Sequence, residues 1–100
     1  MDDRLFHLYW HDRLIGTITN ISYIDFPWLG GIIAFEELSD NVRSALEYID
    51  AALAEDYDRL PDVEFDVDPW EGWRIVAPDG KTIRMSPPVV DFVEGTVTWR

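Results

Sequence analysis

SDNVRSALEYIDAALAEDYDRL, from Ser39 to Leu60, is the stretch that decides the fold. Val42, Leu46, Ile49, Leu53, Tyr57 and Leu60 recur in it at steps of three and four, which puts them in one stripe along an α-helix. Most of what lies between them is acid or alanine. No other segment keeps a helical period, so the pattern predicts one amphipathic helix over residues 39–60. Ser39 or Asp40 would cap its start, where acids suit the positive end of the helix dipole. Arg59 would occupy the last turn, and Pro61 blocks continuation.

Upstream of the helix the period changes to two. Phe6, Leu8 and Trp10 alternate with Leu5, His7 and Tyr9. After the polar break His11-Asp12-Arg13, the segment Leu14–Ile24 is rich in Ile, Thr and Tyr. The pair reads as a hairpin, with Gly16 marking a bulge or the close approach of another backbone. Asp25-Phe26-Pro27-Trp28 ends the second strand, because proline has no N–H for a ladder. Ile32, Ile33 and Phe35 suggest a short third strand after Gly30-Gly31.

Downstream, Asp62–Asp68 alternates strictly, with Val63, Phe65 and Val67 opposite Asp62, Glu64, Asp66 and Asp68. Pro69-Trp70-Glu71-Gly72 is a turn. Trp73–Ala77 and Lys81–Met85 flank Pro78-Asp79-Gly80, a hairpin signal because Asp-Gly supplies positive φ. Val89–Phe92 and Thr96–Trp99 form a last hairpin beyond Ser86-Pro87-Pro88. Short connections favour antiparallel pairing. The expected architecture is a single two-layer α+β domain over residues 1–100, with a mainly antiparallel sheet of six to seven strands packed by one helix.

Size and composition support one core and no more. The chain has 100 residues, 47% of them hydrophobic, including five Trp, five Phe and four Tyr. The net charge is −12, and residues 31–70 carry most of it: twelve acids against Arg43 and Arg59. Such a surface repels nucleic acid and anionic lipid, so direct binding to either is not expected. The absence of cysteine excludes disulfides, Cys-ligated zinc and thiol catalysis. The N-terminal residues lack a signal-peptide pattern, and no uncharged run approaches the roughly 20 residues of a membrane span, so a soluble, cytoplasmic protein is expected.

The motifs that could carry chemistry fail on their spacing. Asp79-Gly80-Lys81-Thr82 resembles the end of a phosphate loop, but Ile75 stands where that loop needs its first glycine, and the motif lies in a hairpin. His7 and His11 fall on a strand and a turn, so their spacing is not that of a helical metal pair. Counted from Asp62 as a calcium loop, the sixth and twelfth positions are Val67 and Trp73 rather than glycine and glutamate. No nucleophile, base and metal ligands can be assembled, and neither an enzyme nor a cofactor is expected.

What remains is a surface. Glu47, Glu55 and Asp58 would project opposite the apolar stripe, with Asp50 and Asp56 on its flanks. Asp62, Glu64, Asp66 and Asp68 follow at once. Together they could present carboxylates to a basic partner, as an inhibitor or immunity-type protein would. Acidity that serves only solubility is the plainer alternative. A second functional reading is small-molecule binding through Trp28 and Trp70, which sit beside prolines in expected turns, whereas Trp10, Trp73 and Trp99 belong to the core.

Asp25-Phe26-Pro27-Trp28 followed by glycine, and Pro87-Pro88-x-x-Asp91-Phe92 ending in Gly95 and Trp99-Arg100, resemble a pattern in small uncharacterised bacterial proteins. The resemblance spans most of the chain and implies no catalytic residues.

Overall fold

Alternating strands around one amphipathic helix build a sheet with a helix on one face. The computed structural model describes residues 5–25, 28–60, 65 and 68–100. Its elements run β1 (Phe6–Trp10), β2 (Arg13–Asp25), β3 (Trp28–Phe35), α1 (Asp40–Leu53), a 3-10 turn (Tyr57–Arg59), β4 (Trp73–Val76), β5 (Thr82–Arg84), β6 (Val89–Asp91) and β7 (Thr96–Trp99). The seven strands form one sheet in the order β5-β4-β1-β2-β3-β7-β6, and every pairing is antiparallel. The first three strands make a central meander. Each later hairpin then extends one of its free edges, β4–β5 along β1 and β7–β6 along β3.

The inner face of this sheet carries Leu8, Trp10, Ile18, Ile33, Ile75, Val97 and Trp99, which join Val42, Ala45, Leu46 and Ile49 of α1 in one core. This is a two-layer α+β fold. In β2 the register against β1 shifts between Leu8 and Tyr9, so that Ile15 is one residue more than β1 can pair. The bulge lets both Ile15 and Gly16 turn inward and be buried. Both consequences expected of Gly16 hold, since a Cβ there would lie 2.6 Å from the Ala34 carbonyl oxygen of β3. The third strand is longer than expected and begins at Trp28, which therefore stands on a strand rather than in a turn. Gly30 and Gly31 lie inside that strand, against close neighbours on β2.

The helix is shorter than its stripe implies. Ser39 caps it, its Oγ accepting a hydrogen bond from the Val42 N–H, but regular structure ends at Leu53. The Glu55 N–H donates to the Ala52 carbonyl and the Asp56 N–H to the Ala51 carbonyl, with Glu55 at φ +56°. These two bonds and the left-handed residue form a Schellman cap. Leu53 and Tyr57, assigned to the buried stripe by spacing, are 50% and 66% exposed. Glu55 and Asp58 accordingly lie past the helix, not on its outer side. Most of the alternating segment Asp62–Asp68 lies outside the described residues. Of its two described members, Phe65 packs against the core and Asp68 is exposed, and neither is in a strand.

These boundaries make two predictions. Leu46→Ala removes a fully buried side chain and should cost about 2–5 kcal/mol, whereas Leu53→Ala, beyond the core, should cost about 0.5 kcal/mol. Urea melts of the two variants check the difference. Glu55→Gly should raise stability by about 1 kcal/mol, because glycine adopts the left-handed cap without the Cβ penalty. Loss of stability in the same melts would contradict that cap.

Candidate functional site

The helix has three sides. Val42, Leu46 and Ile49 face the sheet. Tyr48 meets Phe65 and Trp70 edge-on, with ring centroids 5.6 and 5.9 Å apart. The third side, bearing Glu47, Asp50 and Leu53, overlooks the edge strand β6, and two neighbouring hollows open there with Asp50 between them.

The first hollow, about 480 Å³, is acidic. Glu47 and Asp50 come from α1, Asp91 from the end of β6, and the floor and rim from Val90, Phe92 and Val93. Asp91 is held by the turn that follows it: its Oδ1 accepts hydrogen bonds from the N–H groups of Val93 and Glu94, both at 3.0 Å. Arg59 closes the hollow. Its Nε lies 2.5 Å from Asp56 Oδ2 and its Nη1 3.3 Å from Asp50 Oδ2. Hydrogen bonding to Asp56 first and Asp50 second holds its pKa above the ordinary arginine value. Arg43 lies 3.6 Å from Glu47 and stacks over the Phe92 ring. These pairs are exposed, and exposed pairs contribute about 0–1 kcal/mol each, so a competing cation can replace them.

The second hollow, about 530 Å³, lies at the end of the sheet. The start of β3 contributes Trp28, the end of α1 and its C-cap Leu53 and Ala54, the approach to β6 Ser86 and Pro87, and β6 itself Val89. Trp70 and Arg100 complete it. Two backbone-centred bonds place Arg100: its N–H donates to Ser86 Oγ and its carbonyl accepts from the Ser86 N–H, each at 3.0 Å. Its guanidinium lies over the Trp28 ring, 5.4 Å from the centroid.

Trp70 is positioned by the core itself. Trp10 and Trp73 face each other across β1 and β4 with rings stacked at 5.6 Å. Their indole N–H groups donate to the Glu71 and Pro69 carbonyls, at 3.1 and 2.8 Å. The His11 N–H donates to the Gly72 carbonyl, and the His11 ring fills the space a Gly72 Cβ would need. His11 is thus a half-buried packing residue under the 68–72 turn. His7, likewise half-buried, sits 3.4 Å from the Thr17 hydroxyl.

Of the residues expected to form an acidic surface, Glu47 and Asp50 share the first hollow. Glu55 and Asp58 are exposed but line neither hollow. Asp68 turns a carboxylate oxygen to the Trp70 N–H at 2.9 Å, and Asp62, Glu64 and Asp66 lie outside the described residues. Trp28 and Trp70, 42 positions apart in the chain, line one cleft. Asp91 and Arg100 belong to the pattern that carries the resemblance, but the sequence reading gives neither a place in a site. Asp91 could have been found from the turn Val93-Glu94-Gly95 that its carboxylate caps. Arg100 carries no local signal.

Among the described residues, no three His, Asp or Glu side chains are grouped as a metal site, and no helix is long and apolar enough to cross a membrane. Comparison with protein-family models, curated proteins and solved structures finds no significant match.

Trp10, Trp73 and Trp99 are at most 4% exposed, whereas Trp70 is 37% exposed and Trp28 is half-buried. Acrylamide should therefore quench a minority of the tryptophan emission. In the Trp28→Phe/Trp70→Phe variant the remaining emission should resist quenching, and an unchanged quenching constant would contradict this arrangement.

Proposed function

We propose that this chain is a non-enzymatic interaction protein that binds a basic surface of a protein partner, in the manner of an inhibitor or immunity protein. The observation that carries this reading is the convergence of Glu47, Asp50 and Asp91, from two separate elements, on one hollow rimmed by the exposed Val93. A partner's lysine or arginine entering there meets three carboxylates. Two of them are already paired, Asp50 with Arg59 and Glu47 with Arg43, in exposed ion pairs that it can exchange. The net charge of −12 adds long-range attraction for a basic partner and steers its approach. Masking of a partner's nucleic-acid-binding surface is one outcome this charge arrangement suits.

The test uses a fluorescein-labelled Arg/Lys-rich peptide and fluorescence anisotropy. Glu47→Gln/Asp50→Asn/Asp91→Asn should weaken binding about tenfold or more at low salt and flatten its salt dependence. A control with the same charge change, Asp12→Asn/Glu36→Gln/Glu37→Gln, should weaken it about twofold or less. Equal losses in the two variants would reduce the effect to bulk charge and overturn the assignment of the hollow.

A further inference from the structure

The cleft between Trp28 and Trp70 has a different chemistry from the acidic hollow beside it, and we infer that it binds a small aromatic monocarboxylate. Its volume of about 530 Å³ lies within the range of small-molecule sites. Its walls are the two indoles with Leu53, Pro87 and Val89, an apolar lining suited to a flat ring.

The charge of the ligand follows from which lining group is already satisfied. Asp50 is paired with Arg59 at 3.3 Å. Arg100 makes no ion pair with any of the described residues, in a chain that has 20 acids for 8 lysines and arginines. Among the described residues Arg74, Lys81 and Arg84 share that lack of an ion pair, so what calls for an anion is the place of Arg100, in the apolar lining of this cleft. Its backbone is fixed by the paired bonds to Ser86, and its guanidinium rests over the Trp28 ring, so its donors are partly preorganised for a carboxylate. A cationic ligand is disfavoured at the same place, because Arg100 already occupies a face of Trp28 and would repel it. The protein's net negative charge opposes an anion at long range, but physiological salt screens that repulsion beyond about 8 Å while leaving the direct contact.

The experiment compares 2-naphthoate, 2-naphthamide and 2-naphthylmethylammonium by isothermal titration calorimetry at physiological salt. The carboxylate should bind about tenfold or more tightly than the neutral amide, as expected for a charge-assisted hydrogen-bonded pair. Arg100→Gln should erase that preference while leaving the amide's affinity unchanged, and Arg100→Lys should restore part of it. Arg84→Gln, which removes a positive charge outside the cleft, should leave the preference intact. Tighter binding of the ammonium, a carboxylate preference that survives Arg100→Gln, or no binding of any probe at millimolar concentration would each overturn the inference. Arg100 is exposed, and a circular-dichroism melt of each variant confirms that the comparison is made on folded protein.

Discussion

Two stacked indoles tie the core of this protein to its surface. Trp10 and Trp73 are register partners on adjacent strands, and both rings are buried. A buried indole N–H needs an acceptor, and here both acceptors are carbonyls of the turn that carries Trp70. Satisfying the core therefore fixes the turn. Trp70 in turn packs on Tyr48 of α1, so the helix is held from two directions, by the sheet below and by this turn at its side. Among the described residues only its third side is left open, and both candidate hollows are there.

That open side concentrates unlike chemistries within a short distance. The acidic hollow owes its character to α1 lying beside β6, which sets Asp91 near Glu47 and Asp50. Arg59 links Asp50 to Asp56 across the end of the helix, and its place depends on the Schellman cap that turns the chain back after Leu53. Had the helix run on to Leu60, Arg59 would have stood about two and a half turns, roughly 13.5 Å, along the axis from Asp50. The cleft beside it is built from residues at the far ends of strands, where Arg100 and Trp28 meet through the β3–β7 pairing. One surface thus offers carboxylates in one hollow and a guanidinium over an indole in the next.

The sheet and helix were legible because they rest on periodicity. Alternation in Leu5–Trp10 and Leu14–Ile24, the Asp-Gly turn at 79–80, and the stripe from Val42 to Ile49 are local patterns that burial enforces. Gly16 was readable for the same reason, since a glycine within a strand signals a bulge or a close neighbour. The helix end was not. A left-handed cap is usually marked by glycine, and this one is occupied by Glu55, so the apolar spacing through Tyr57 suggested a longer helix than the backbone makes. The acidic character of the site was visible in Glu47 and Asp50, but Asp91 enters it only through strand order, which short-range sequence does not encode. The shared cleft of Trp28 and Trp70 was hidden likewise. Each tryptophan stood out beside a proline, yet nothing local says that the 68–72 turn and the start of β3 meet.

Under the proposed function, basic partners engage the side of α1 that faces β6. Backbone amide shifts in ¹⁵N–¹H correlation spectra, followed while a Lys/Arg-rich peptide is added, test it residue by residue. The largest perturbations should cluster at Glu47, Asp50 and Asp91–Val93 and fade as salt is raised. Perturbations spread evenly over acids elsewhere, such as Asp12, Glu36 and Glu37, would contradict it.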